Sequence, residues 1–363
     1  MVVGSNPAVP TIENNKDLIM PKRYLIIKMS SLGDVIHTFP AITEAKKHNP
    51  EIIFDWVVEE SFADIIKLHP SVDQIIPIAF RRWRKNIIKY WKNGEIKTFL
   101  KSLRKQKYDA IIDAQGLFKS ALIAKLAKGK IIGLDKKSAR EGWVSLFYKK
   151  SFFVAKNQHA VLRVKSLFAQ FFHYQADENV DYGLSFKWEK DKISKQKTIC
   201  FLHATTWQSK HWPLISWQEL AKKLTEKNVQ IVLPWGNEKE KKQAELIAGD
   251  FNHVIILPKM SLTELAESFS KYQLVISVDT GLSHLAAAIE TPTISLYGAT
   301  NPKLTSTMGK NQIHLNANFH CAPCLKRVCQ YKKEDYKIHP PCYETISAEH
   351  VYQIICQNDI FQL

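Results

Sequence analysis

At 363 residues and 45% apolar content, the chain is long enough for two domains that each bury a core, and it has no apolar run near the roughly 18 residues a membrane-spanning helix needs. The first twenty residues lack a signal-peptide core and six cysteines do not make a disulfide framework in a chain this long, so a cytoplasmic location is expected. Fifty-one Lys and Arg against 35 Asp and Glu leave a formal net charge of +16, which calls for an anionic partner: nucleic acid, lipid head groups or an acidic substrate.

Residues 1–20 are polar, without a periodic apolar face, and are expected to be a disordered leader, with Met20 a candidate true start. The apolar run Tyr24 to Ile27 reads as a first strand. The loop Lys28-Met-Ser-Ser-Leu-Gly-Asp34 follows it, placed where parallel α/β folds bind ligands. Gly33 allows a sharp turn, and Asp34 is either a helix cap or a general base facing a cleft. After a second run, Ile52 to Val58, residues 81–107 hold eleven Lys and Arg, one acidic residue, and Trp83, Tyr90, Trp91 and Phe99. Such a segment reads as a helix lying on an anionic bilayer or as a solvated helix. Zinc-finger spacing, RNA-binding signatures and heptads are absent, so nucleic acid is not favoured. The run Ala110 to Ile112 leads into Asp113-Ala-Gln-Gly116, a second loop of the same kind on the acceptor side, and Ile131 to Ile132 follows.

The polar stretch Ala176 to Lys197 separates this set of strands from a second one: Thr198 to Leu202, Gln230 to Leu233, Val254 to Ile256, Leu274 to Val278 and Thr293 to Leu296. Short Ile/Val runs alternating with helical patterns imply α/β architecture, with two parallel sheets covered by helices. The expected divisions are a leader over 1–20, an N-terminal domain over 21–180, a linker over 181–197, a C-terminal domain over 198–346, and a C-terminal helical segment over 347–363 with Ser347 as cap.

In the second half, Leu202-His-Ala-Thr-Thr206 and Lys210-His-Trp-Pro213 place hydroxyls and a cation just past a strand, which suits a nucleotide diphosphate. Asp279-Thr-Gly-Leu-Ser-His284 ends a strand and opens a small-residue helix. Unpaired N–H groups at a helix start favour an anion, Gly281 permits its close approach, and His284 lies on the first turn; the alternative is a plain capped helix. No Asp-x-Asp pair occurs, so charge on a leaving diphosphate falls to Lys210, His284 and helix N-termini. Cys321, Cys324, Cys329 and Cys342 are either a structural zinc site or free thiols.

Nine motifs occur in order: K-M-S-S-L-G-D-V-I-H-T, F-D-W-V-V-E-E, R-R-W-R-K, D-A-Q-G-L, F-L-H-A-T-T, K-H-W-P, L-P-W-G, L-P-K-M-S-L and S-V-D-T-G-L-S-H-L. From about Tyr24 to about Ile313 the chain resembles the lipopolysaccharide heptosyltransferases of glycosyltransferase family 9. The resemblance implies a GT-B fold, two Rossmann-like domains facing across a cleft, and inverting transfer of L-glycero-D-manno-heptose from its ADP-β-linked donor to the 5-hydroxyl of the inner Kdo of Kdo2-lipid A. It makes Asp34 the catalytic base. The donor site it implies is Thr205, Thr206, Lys210, Glu240, Met260, Asp279, Thr280, Gly281 and His284. Arg81, Arg82, Arg84, Lys119 and Arg140 are the implied acceptor contacts. No metal or other cofactor is implied, and a monomer attached peripherally to the cytoplasmic face of the inner membrane is expected. The cysteine-rich segment departs from the type that acts on inner Kdo, which keeps the type II enzyme, with another acceptor, as the nearest alternative. A non-catalytic nucleotide-sugar binding protein is the alternative of a different class. An NAD-dependent oxidoreductase is disfavoured because the first loop is M-S-S-L-G-D and not G-x-G-x-x-G.

Overall fold

The computed structural model describes residues 21–187, 189, 196–332 and 336–358. The expected leader with Met20, residues 188 and 190–195 of the expected linker, and residues 359–363 of the last segment lie outside the described residues.

Six strands make the first sheet: β1 (Arg23–Ile27), β2 (Ile53–Glu59), β3 (Val72–Ile78), β4 (Ala110–Asp113), β5 (Lys130–Leu134) and β6 (Lys150–Phe152). Six more make the second: β7 (Thr198–Leu202), β8 (Gln230–Leu233), β9 (Val254–Ile256), β10 (Leu274–Val278), β11 (Thr293–Tyr297) and β12 (Gln312–Asn316). Their orders are β3-β2-β1-β4-β5-β6 and β9-β8-β7-β10-β11-β12, with every neighbouring pair parallel. The two halves therefore repeat one doubly wound topology. In each, the winding reverses beside the first strand, between β1 and β4 and between β7 and β10, and the loops leaving those strands part to open a crevice at their carboxyl ends.

The central strands β7, β10 and β11 are buried at every position, as helices on both faces require. Ile26 lies beside Trp56 and Ile112 in the first sheet, and Ile276 beside Phe201 and Ile294 in the second. One buried apolar cluster runs through both halves, from Ile26, Trp56 and Phe168 to Cys200, Leu202 and Leu285.

Two expectations change. Residues 81–107 do not form one amphipathic helix; they make three short ones, Phe80–Trp83, Ile87–Lys92 and Glu95–Leu103. Asn86 caps the second by accepting from the Lys89 N–H, and Gly94, at φ 84°, breaks the chain before the third. Strands β3, β6 and β12 add to those read from the sequence. The C-terminal helix Ala348–Gln357 begins where expected, with the Ser347 hydroxyl accepting from the His350 N–H, and it packs on the helix Leu214–Thr225 of the second half.

Candidate active site between the two sheets

The first switch point is built by Lys28, at the end of β1. Its buried ammonium crosses to the Ala114 carbonyl at 2.9 Å, just past β4. Gln115 then clamps the loop: it accepts from the Met29 N–H at 2.8 Å and donates to the Ser30 carbonyl at 3.1 Å. Lys119 donates to the Ser30 hydroxyl at 3.0 Å. The helix Leu32–Ile36 starts here, and one oxygen of Asp34 accepts both the Ser31 N–H (2.9 Å) and the Ser31 hydroxyl (2.8 Å), a capping box. Ser31 is therefore the N-cap and Asp34 its N3 partner, and the second Asp34 oxygen takes no part in these two bonds. Burial pushes its carboxyl up, but Lys28, the Ser31 bonds and Arg140 outweigh burial and hold it below the ordinary aspartate value. Burial pushes Lys28 down against the pull of Asp34 and Asp113.

Asp113 does not line a cleft. It is buried and accepts from the Gln115 and Gly116 N–H groups, the Ser120 hydroxyl and the Tyr148 hydroxyl, so its work is to shape the turn that aims Gln115. Gly116, at φ 65°, is the residue type that turn demands.

At the second switch point Asp279 is buried and bonded to Lys210 at 2.7 Å and to the Thr300 hydroxyl at 2.5 Å. It does not cap the helix Gly281–Ala288, whose N-cap is Thr280. Thr205, past β7, donates to the Asp279 carbonyl at 2.9 Å, and Thr206 beside it is exposed. Lys210 lies over the Trp207 ring at 4.6 Å, and its carbonyl accepts from the Tyr343 hydroxyl. Glu240 accepts from the Gly236 N–H and the Asn237 amide, and its own carbonyl lies 3.1 Å from His203 Nε2, which ties it to the loop after β7. Met260 is half-buried against the cluster that spans both halves.

The two switch points touch. A Cβ on Gly281 would lie 2.9 Å from Leu32 Cβ, and one on Gly33 would lie 2.8 Å from His284 Cδ2. The close approach at Gly281 is thus made by the opposite half of the protein. His284 is buried, with Nδ1 3.1 Å from Nε2 of His37, and burial holds its pKa down against the pull of Asp279 and Asp34. Lys28, Gln115 and His37 have no assigned role in the sequence reading, although each stands inside a quoted motif.

Of the acceptor candidates, Arg81, Arg84 and Arg140 lie in electrostatic range of Lys119, whose pKa falls through burial first and these neighbours next. Arg82 stands apart: Glu60 and Glu95 both bond its guanidinium, which rests on the Tyr90 ring, so it braces the short helices. Cys321, Cys324, Cys329 and Cys342 are free and line one small cavity. Among the described residues no three His, Cys, Asp or Glu are placed to hold a metal ion, and of the two readings of these cysteines, structural zinc or free thiols, the second agrees with this arrangement.

Two doubly wound halves that meet across a crevice at their switch loops give the chain the GT-B fold of glycosyltransferases. The sequence profile of glycosyltransferase family 9 (heptosyltransferase) matches residues 96–334. Lipopolysaccharide heptosyltransferase 1 of Pseudomonas aeruginosa is 44% identical over 339 residues, 91% of this chain and 96% of that protein. Lipopolysaccharide heptosyltransferase 2 of Salmonella typhimurium is 24% identical, over 82% of this chain and 89% of that protein. The structure of E. coli heptosyltransferase WaaC with ADP superposes with a TM-score of 0.80 at 41% identity, over 92% of this chain and 99% of that one. The chain belongs to glycosyltransferase family 9, the heptosyltransferases.

Proposed function

We propose that the chain transfers L-glycero-D-manno-heptose from ADP-L-glycero-β-D-manno-heptose to the 5-hydroxyl of the inner Kdo of Kdo2-lipid A. The observation that carries this reading is the opposition of Asp34, on the first switch loop, to Lys210, Asp279 and the start of the helix Gly281–Ala288 on the second. Asp34 takes the proton from the Kdo hydroxyl as that oxygen bonds to the anomeric carbon. The bond from that carbon to the β-phosphate oxygen breaks, ADP leaves, and one displacement inverts the centre. Lys210 and the helix start meet the charge on the departing diphosphate, and no metal ion is assigned a part. Thr205, Thr206, Thr280, Gly281 and His284 line the diphosphate and sugar, Glu240 holds the ribose, and Met260 meets adenine.

The half over 21–180 holds the acceptor and the half over 198–346 the donor, with 181–197 joining them. Arg81, Arg84, Lys119 and Arg140 receive the acceptor's carboxylates and phosphates, and Arg82 supports them through Glu60 and Glu95. Identity of 44% to a type 1 enzyme against 24% to a type 2 enzyme favours inner Kdo as acceptor. Among the described residues no helix is long and apolar enough to cross a membrane. The protein works as a monomer held peripherally on the cytoplasmic face of the inner membrane by its basic surface. ADP release with Kdo2-lipid A and with a heptosylated acceptor tests the reading: turnover on the first alone is expected, turnover on the second alone moves the chain to type II chemistry, and donor binding without turnover on either leaves a binding protein.

A further inference from the structure

Beside the loop that carries Asp34, four large apolar side chains stand exposed: Phe118 (46%), Leu122 (44%), Trp143 (48%) and Leu146 (85%). They belong to two packed elements, the helix Phe118–Leu126 and the 3-10 helix Gly142–Phe147. Phe118 and Leu122 share a helix face one turn apart. The Phe118 and Trp143 ring centroids lie 5.2 Å apart, and Trp143 and Phe147 6.0 Å apart, so the rings are fixed to one another. Buried Ala121, Ala139 and Val144 form the platform beneath them. The platform is anchored, since the Phe118 N–H donates to Glu141 at 2.7 Å. It is tied to the reaction loop by Lys119, which bonds Ser30.

We infer that this platform is a membrane-insertion surface, which seats Phe118, Leu122, Trp143 and Leu146 in the interfacial region of an anionic bilayer and so holds the acceptor loops over a lipid-anchored acceptor. The inference rests on the proposed acceptor, and its occupant is chosen by charge. Residues 118–150 hold eight lysines and one arginine against two acidic residues, and Lys125 lies over the Phe147 ring at 5.9 Å. Lysine is depleted in protein–protein interfaces, whereas Trp, Phe and Leu ringed by lysine is the composition of a surface that lies in the head-group region, with alkyl stems along the apolar face and ammonium groups on phosphates. Rings and aliphatic chains supply depth, and the lysines supply attraction that salt weakens.

The test uses the full chain with vesicles of phosphatidylglycerol and phosphatidylethanolamine, some with brominated acyl chains that quench tryptophan. Wild-type protein is expected to bind and lose part of its emission to the brominated lipid. W143F should lose most of that quenching. The variant F118S/L122S/W143S/L146S should bind about tenfold more weakly or worse. L246S, which removes an exposed leucine from the other half, should bind as wild type does. All variants should turn over a deacylated, water-soluble Kdo2 acceptor at the wild-type rate, which shows that they fold. Undiminished vesicle binding by the fourfold variant, or no quenching at Trp143, overturns the inference. So does a lipid-free dimer that this variant abolishes, which would assign the surface to a second copy. If platform-dependent binding is found while wild-type protein leaves the soluble acceptor untouched, the acceptor reading fails and the surface stands.

Discussion

Asp34 serves two purposes at once. Its bonds to Ser31 start the helix Leu32–Ile36, and the same bonds with Lys28 keep it ionised. A carboxylate held this way stays ionised well below neutral pH, so if Asp34 is the proposed base the acid limb of kcat/KM should not come from it near pH 6. Replacing Lys28 by Met removes a buried cation whose pull lowers the carboxyl, and the Asp34 pKa must rise. We expect the acid limb of the Lys28→Met variant to move up by about one unit or more, read from pH profiles of kcat/KM on Kdo2-lipid A. An unmoved limb would mean that Lys28 only ties β1 to β4. The candidacy of Asp34 was legible because a Gly-Asp pair past a β-strand is a local signal. The Lys210–Asp279 and His37–His284 contacts were not, because residues 69 and 247 positions apart meet only through the topology.

The strands that sequence patterning exposes are mainly interior ones, where helices on both faces force continuous Ile and Val, and the edge strand β9 is read as well because it keeps a Val-Ile-Ile run. β3, β6 and β12 sit at or near sheet edges and carry mixed patterns: VDQIIPI, KSF and QIHLN. Partial cover relaxes the demand for apolar residues, so the signal fades there. The 81–107 segment misleads for another reason: composition suggests one helix, while Asn86, Asn93 and Gly94 cut it. The lack of a side chain at Gly281 lets the helix Gly281–Ala288 meet the helix Leu32–Ile36. A Cβ there meets Leu32 Cβ at 2.9 Å, a point near the backbone with little freedom to give way. Gly281→Ala should therefore destabilise the protein by about 1–3 kcal/mol, measured by urea denaturation. No change in midpoint would show that the two helices part without cost.

At the scale of the whole molecule, buried histidines make stability depend on pH. Burial, the largest cause, holds His69 and His159 down to about 4, and His159 Nε2 lies 3.0 Å from the Ser306 carbonyl of the other half. An unfolded histidine titrates at about 6.5. Between those values the unfolded chain binds more protons than the folded one, so stability is complete above pH 6.5 and declines as pH falls toward 4. At pH 5 the loss is on the order of 2 kcal/mol per histidine, somewhat less for the more accessible His159. Urea midpoints at pH 7 and pH 5 should differ accordingly, and His69→Gln should narrow the difference; equal midpoints in wild-type protein would refute the assignment. In the proposed reaction one half supplies the base and the other holds the donor. Asp34→Asn tests it most directly, since an amide oxygen can still accept from Ser31 while the carboxylate is gone. Turnover on Kdo2-lipid A should fall by about 10²–10⁴-fold with ADP-heptose affinity unchanged; near-wild-type turnover, or a parallel loss of donor binding, would rule out Asp34 as the base.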